Sequence, residues 1–440
     1  MTRPTYKIIS YGCQMNAYDS ELMAGVLEAK GYSLTDSEKD SDVLLVNTCI
    51  VRGSAEERAL GRLAKLKALK QERPDRILGV CGCLAQRDAE ALFDRFPHLD
   101  LVLGTRAIPS LPELLDRLGA GERPLASVEE CEHPYQVNAV PVRKSSLRTL
   151  VPIMSGCNNW CSYCIVPQVR GREVSRPAGT ILDEIRALVQ VGTRDVTLVG
   201  QNVNSYHDGR TDFANLLGKI NDINDLLRIR YITSHPRDAN ARHVDAVSSL
   251  SKVCDHFHLP VQSGSNRVLD RMNRGYTREH YMELVEGIRD RLPEATITTD
   301  IIVGFPGETQ AEYEETIDLV ENVRFDSAFT FFYNVRVGTR AADWPDDVPL
   351  EEKKTRLSRL IELQERISLE KNQGMIGRQV EVLSEGPARR KDRHGGSQLV
   401  GRTTGDKCVV YTGKPEDVGR LVPLSITDAA AHTLFGKAAE

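Results

Sequence analysis

The sequence predicts an α/β protein in three parts: an N-terminal domain on a parallel sheet over residues 1–125, a partial (β/α)6 barrel over 151–345, and a small antiparallel β-barrel over 374–437. Three observations lead there. Apolar runs rich in Ile and Val alternate with helical-period segments through the first two parts, the pattern of parallel strands with covering helices. The last part has short β-prone runs separated by glycines, as in a small closed barrel. Between these parts, residues 126–150 read as a linker and 346–373 as a charged connecting helix.

In the first part, KIISYG (7–12), DVLLVNTC (42–49), RILGVCGC (76–83) and LDLVLG (99–104) read as strands, with helices over 20–31, 54–71 and 86–96. In the second, strands are expected at 151–156, 195–204, 227–234, 256–261, 296–305 and 327–333, with helices at 181–192, 243–252, 265–275, 281–292 and 311–323. Six units are too few for an eight-fold barrel and suit an open one. Residues 380–386, 398–405, 408–413 and 420–427 are the strand candidates of the last part.

The net charge of −5 makes the whole chain no polycation, so any nucleic-acid contact must be local. The start, MTRPTYKIISYGCQ, has no apolar leader region, and no run approaches the length of a membrane span. A cytoplasmic location without membrane attachment is expected. Ten cysteines in that compartment read as reduced thiols and metal ligands rather than disulfides.

Cys157, Cys161 and Cys164 form a C-x3-C-x2-C nest. Three thiolates leave one corner of a four-iron cluster open to a ligand that is not cysteine; a zinc site would need a fourth Cys or His, and His207 is distant in sequence. Cys13, Cys49 and the pair Cys81 and Cys83 follow the first three strands, so they converge on one sheet edge, where ligands collect. Cys81 and Cys83 lie two apart and face the same way on a strand, so periodicity does not choose between them. Loops after the central strands carry Gly200, Gln201 and Asn202, then Ser234 and His235, then Gln262 and Ser263, then Gly304 and Phe305. These are polar groups and close-approach glycines at the ligand-binding end of a barrel. Asp300 on an apolar strand is expected to be functional, because a lone buried carboxylate is costly. His235 is either catalytic or a turn-shaping histidine. Arg170, Arg172, Arg176 and Arg274 are either a solvated face or a grip on SAM or substrate phosphates.

The segment SGCNNWCSYC, with Tyr163 before its last cysteine and RGREVSR behind it, resembles the signature of the radical S-adenosylmethionine (SAM) superfamily. YGCQMNAYDSE, NTC and GCLAQR resemble the three N-terminal motifs of the methylthiotransferase family, and the last part is similar to a TRAM domain, an RNA-binding barrel. Within that family, YGCQMN, RGREVSR and FDSAFTFFYNVRVGTRAA are most similar to the MiaB-type tRNA enzymes; Trp160 and Asn334-Val335-Arg336 depart from the usual pattern.

The resemblance implies two 4Fe-4S clusters, one on Cys157, Cys161 and Cys164 and an auxiliary one on Cys13, Cys49 and Cys83 carrying sulfide or polysulfide. Cys81 and Cys131 would be spare. It places Gln201 and Asn202 near the methionine end of SAM, Ser234, Gln262 and Ser263 near its sulfonium or ribose, and Gly304 and Phe305 near its adenine, with Tyr163, Gly200 and Asp300 in the same site. The reaction implied is methylthiolation at carbon 2 of N6-isopentenyladenosine beside the tRNA anticodon. It uses one SAM as methyl donor and one as source of a 5′-deoxyadenosyl radical. Implied partners are the tRNA anticodon stem-loop, a low-potential flavodoxin- or ferredoxin-type donor and iron–sulfur assembly proteins, for a chain working as a monomer. Arg170, Arg172, Arg176, Arg389, Arg390, Lys391, Arg402 and Lys407 are the candidate RNA contacts. Relatives acting on threonylcarbamoyl-adenosine or on a ribosomal protein, and a non-catalytic iron–sulfur or RNA-binding protein, are the competing readings.

Overall fold

The computed structural model describes residues 3–50, 53–129, 135, 140–143, 147–388 and 398–438. Cys131, Arg389, Arg390 and Lys391 lie outside the described residues.

The N-terminal sheet has six parallel strands in the order Ser33–Leu34, Thr5–Tyr11, Val43–Thr48, Ile77–Gly82, Leu101–Leu103 and Leu125–Ser127. Val43–Thr48 and Ile77–Gly82 are buried at every position, as central parallel strands covered on both faces must be. One apolar cluster fills the face under the helices Gln14–Ala29 and Leu111–Gly119, and another the face under Gly53–Glu72. The sixth strand carries the sheet two residues into the expected linker. The helix Leu111–Gly119 is an addition to the sequence reading; its Pro112 sits in the first turn, where a missing N–H costs nothing.

The central part has six strands in chain order, in two parallel sheets: Arg148–Pro152, Asp195–Val199 and Arg228–Tyr231, then His256–His258, Thr296–Val303 and Ser327–Phe332. A parallel bridge between Ile229 and Val253 joins the halves. No ladder joins the first strand to the last among the described residues, so the arc stays open as expected. The helix Phe213–Asn221, capped by Asp212 accepting from Asn215 N at 2.9 Å, is the covering helix absent from the sequence reading. The expected connector, Leu350–Gln373, is more than a spacer: Leu360, Leu363 and Ile367 enter the central core.

The last part closes into a five-stranded barrel in the order Gln379–Pro387, Gln398–Arg402, Cys408–Thr412, Leu434–Ala438 and Leu421–Ala429. Four of its pairings are antiparallel, but Cys408–Thr412 runs parallel to Leu434–Ala438, the strand that closes the barrel. The barrel docks on the N-terminal ends of the central strands. Arg228 donates to the carbonyls of Arg402 and of Glu381, the latter at 3.0 Å, and Arg230 donates to those of Thr403 at 2.9 Å and Thr404 at 3.2 Å. No helix among the described residues is long and apolar enough to cross a membrane.

Candidate active site

The N-terminal cysteines sit on strand ends locked by a small amide cluster. Asn16 is fully buried and donates to Asn47 Oδ1 at 3.1 Å and the Thr48 carbonyl at 2.9 Å. Asn47 donates back to the Asn16 carbonyl at 2.8 Å, and Thr48 Oγ1 to the Cys81 carbonyl at 2.8 Å. Two glycines let these ends meet. A Cβ on Gly12 (φ +140°) would stand 2.1 Å from Cys49 Cβ, and one on Gly82 (φ +89°) 2.3 Å from Asn47 Oδ1. The motif residues Asn16, Asn47 and Gly82 are therefore architectural, a role the spacing alone did not reveal.

Cys13, Cys49 and Cys83 come together on this platform, with Cys49 hydrogen-bonded to both of the others. Those contacts push the Cys13 thiol up and pull the Cys83 thiol down, the latter helped by Arg170. Cys81 is separated from them. It packs with Tyr18 and Leu22 on one face of the sheet, while Cys83 starts the helix Cys83–Asp88 and joins the cluster on the other face. Burial pushes the Cys81 thiol up.

The second set lies on an irregular loop held from several sides. Gly156 (φ +78°) lets Cys157 N reach the Gly171 carbonyl at 3.2 Å. Ser162 is bonded to Met272 O, Arg271 O and Ala341 N at 2.7–3.0 Å. Arg274, 4% exposed, donates to Cys161 Sγ at 3.3 Å, Tyr163 OH at 3.4 Å and Pro260 O at 2.8 Å; it braces the loop and is neither a solvated face nor a phosphate grip. Burial lifts Cys157 to about 11 and Cys164 to about 12, with Cys161 adding to both. Taking up iron at these positions therefore releases protons.

Among the described residues no three of His, Cys, Asp and Glu form a ready metal cage. In the N-terminal set the thiols hydrogen-bond to one another. The donor chemistry, two groups of three cysteines on glycine-shaped loops, fits two iron–sulfur clusters.

The cofactor loops divide. Gln201 Oε1, Asn202 Oδ1, Ser234 Oγ, His235 Nε2 and Gln262 Oε1 are buried polar atoms that meet no hydrogen-bond partner among the described residues. They gather on the loops after three consecutive strands. Beside them the backbone is strained: Thr233 (φ +68°) and Gln262 (φ +72°) adopt left-handed conformations that non-glycine residues avoid. Desolvated, unpaired and strained groups at the barrel mouth fit a polar ligand such as SAM.

Other expected contacts have partners within the protein. Ser263 is fully buried, with its hydroxyl 3.3 Å from Thr316 Oγ1 and accepting from Ser265 N at 3.2 Å. Phe305 is fully buried against Tyr163, Tyr333 and Trp344. It supports Tyr163, itself only partly buried. Gly304 lies under the Lys353 stem, and Gly200 makes room for Met154. Asp300 is neither lone nor fully buried, since its 28%-exposed side chain pairs with His258 Nε2 at 3.1 Å.

His235 Nδ1 accepts from Arg237 N at 3.2 Å, which leaves its proton on the unpartnered Nε2. Burial, then the charges of Arg274 and Arg237, hold its pKa down at about 2. It stays neutral across the working range, so His235→Gln is expected to leave the shape of the pH profile of SAM cleavage unchanged between about pH 6 and 8. Loss of an inflection in that window would contradict this.

The two cysteine sets face one seam. The helix Val166–Arg170, just after Cys164, packs through Ile165 and Val169 into the cluster of Cys83, Leu84 and Ala85. Arg336 donates to the Ile50 carbonyl beside Cys49, and its charge reaches the thiols of both Cys49 and Cys164.

With this geometry in place, comparison with known proteins is informative. Residues 5–104 match the model of the Uncharacterized protein family UPF0004, and residues 151–320 that of the Radical SAM superfamily. The tRNA-2-methylthio-N(6)-dimethylallyladenosine synthase of Carboxydothermus hydrogenoformans is 48% identical over 99% of this chain and 99% of its own. Those of Pelotomaculum thermopropionicum and Desulforamulus reducens are 47% and 49% identical, over 98% of this chain and 97% and 95% of theirs. The chain belongs to this synthase family. Among solved structures, the radical SAM methyltransferase TsrM from Kitasatospora setae, with cobalamin and an iron–sulfur cluster bound, superposes with a TM-score of 0.59 at 16% identity. That match covers 78% of this chain and 77% of TsrM, and it shows the fold alone.

Within this synthase, most of the candidate RNA contacts are used internally. Arg170 is 3% exposed and paired with Asp19, and Arg176 bonds Pro152 O and Glu184. Lys407 faces the central domain, bonded to Asp326 at 2.9 Å and Asn372 at 2.9 Å, while Arg402 bonds the Asp406 carbonyl at 2.9 Å. Arg170 and Lys407 thus join domains, whereas Arg176 and Arg402 are held within their own. Arg172 is exposed and stays available. Lys407→Ala is expected to lower the thermal midpoint without changing affinity for tRNA; a salt-dependent loss of affinity at unchanged stability would reverse that assignment.

Proposed function

We propose that this synthase adds a methylthio group to carbon 2 of N6-isopentenyladenosine in the tRNA anticodon stem-loop, consuming two SAM. The observation carrying this is that two cysteine triads meet at one seam, with unpaired buried polar atoms on loops of the barrel that bears one of them. Cys157, Cys161 and Cys164 would hold one 4Fe-4S cluster, and Cys13, Cys49 and Cys83 a second that bears sulfide or polysulfide. When bound, these groups supply the radical and sulfur chemistry that an unactivated C–H bond demands and that no side-chain base can perform.

The chain's own residues position and shield. Gln201, Asn202, Ser234, His235 and Gln262 offer hydrogen bonds to SAM, and Arg274 fixes the loop of Cys161. Arg336 spans the two triads. A cytoplasmic setting, a flavodoxin- or ferredoxin-type donor and cluster-assembly proteins accompany this reading, because low-potential clusters and a tRNA substrate require them. The full-length relatives share one substrate name, which favours the isopentenylated adenosine over the threonylcarbamoyl and ribosomal alternatives. The test is mass spectrometry of nucleosides after incubation with isopentenylated tRNA, SAM, sulfide and a low-potential reductant. A product heavier by one methylthio group, absent with threonylcarbamoylated tRNA, is expected; methylthiolation of the latter alone would reverse the choice.

A further inference from the structure

Asp19 and Arg170 form an ion pair of 2.7 Å, their side chains 2% and 4% exposed. The partners come from different domains. Asp19 lies on the helix Gln14–Ala29 that begins beside Cys13, and Arg170 ends the short helix behind Cys164. Arg170 also lies 3.4 Å from Tyr135 OH, and Thr105 Oγ1 bonds the carbonyl of the adjacent Val169. The segment therefore leaves Cys164, packs onto the helix opened by Cys83, and returns through Gly171 to the backbone of Cys157.

A buried ion pair is a poor source of stability, since desolvation consumes much of its attraction. This one is also oriented. The positive charge of Arg170 acts on both Cys13 and Cys83, and on Cys83 it outweighs the negative charge of Asp19, which also reaches Cys81; Asp19 Oδ1 has no hydrogen-bond partner among the described residues. The guanidinium is thus the nearer of the two charges to these cysteines, with its carboxylate partly offsetting it. Arginine cannot be deprotonated in this range, so the charge is permanent.

We propose that Arg170, held by Asp19, is the fixed counter-charge of the Cys13, Cys49 and Cys83 site, supplied across the domain seam by the segment that carries the other three cysteines. It is a positioning residue, and the proposal rests on reading those three cysteines as cluster ligands. A permanent cation in a low-dielectric site favours the more negative, reduced state of a cluster beside it. Asp19 sets how much of that charge the site receives.

The test uses full-length reconstituted protein carrying Arg170→Gln, Arg170→Lys or Asp19→Asn. Redox titrations are followed by electron paramagnetic resonance, and a Cys157→Ala, Cys161→Ala, Cys164→Ala background isolates the auxiliary signal. The auxiliary midpoint should move to lower potential in Arg170→Gln, to higher potential in Asp19→Asn, and stay near wild type in Arg170→Lys. Shifts of opposite sign are the electrostatic signature. Shifts of the same sign, or none, would mean that the pair only packs the seam and would overturn the proposal. Should Arg170→Gln fail to fold or load, Asp19→Asn decides, since an unmoved or lowered midpoint there overturns it equally. Wild-type protein giving only one cluster signal overturns the ligand reading and this proposal together.

Discussion

The triple variant Cys157→Ala, Cys161→Ala, Cys164→Ala is expected to retain about half of roughly eight irons per chain and to form no 5′-deoxyadenosine at all. Its counterpart, Cys13→Ala, Cys49→Ala, Cys83→Ala, should also keep about half of the iron yet still cleave SAM while producing no methylthiolated nucleoside. The asymmetry follows from position. The unpaired polar groups of Gln201, Asn202, Ser234, His235 and Gln262 lie on the central barrel with the first triad, so SAM cleavage needs nothing from the N-terminal strand ends. Iron analysis and chromatography of the reduced proteins with SAM would check both arms. A folded N-terminal variant without cleavage would show that the division of labour is wrong.

Arg230→Ala should be the most destabilising single change outside the cysteine loops. Arg230 pairs with Asp195 at 2.8 Å, their side chains 3% and 0% exposed, and donates to two barrel carbonyls. Removing one partner of such a pair strands a buried carboxylate and costs about 3–5 kcal/mol. Denaturant unfolding should show this as a lower midpoint, with the barrel transition separating from the rest. A loss below about 1 kcal/mol, the range of an exposed ion pair, would mean that water reaches Asp195.

Much of the fold was legible because its signals are local. Val43–Thr48 and Ile77–Gly82 announce central parallel strands by unbroken apolar character, and the six-unit rhythm from 148 to 332 announces an open barrel. The helices Leu111–Gly119 and Phe213–Asn221 were harder to read, since at nine residues each offers barely two turns of period. The cysteine triads were visible from spacing and motif. Which of Cys81 and Cys83 joins the triad was not visible from spacing, because it depends on where the strand ends and the helix begins.

Charged residues were the least legible. Arg170, Arg176, Arg402 and Lys407 look like surface cations in sequence. For Arg170 and Lys407 the partner lies far along the chain: Asp19 is 151 residues from Arg170, and Lys407 meets Asp326 on another domain. Asp300 differs in the opposite sense, because His258 on the neighbouring strand supplies a partner that no single-strand reading reveals.

The barrel is gripped partly by its main chain, beside side-chain bonds such as Lys407 to Asp326. Arg228 and Arg230 seek the carbonyls of Glu381, Arg402, Thr403 and Thr404, groups present whatever side chains those positions bear. A clasp that ignores residue identity tolerates wide drift in what it holds. The outer surface of the barrel is thereby free to diversify or be exchanged between relatives, while the two arginines and the loop shape that meets them persist.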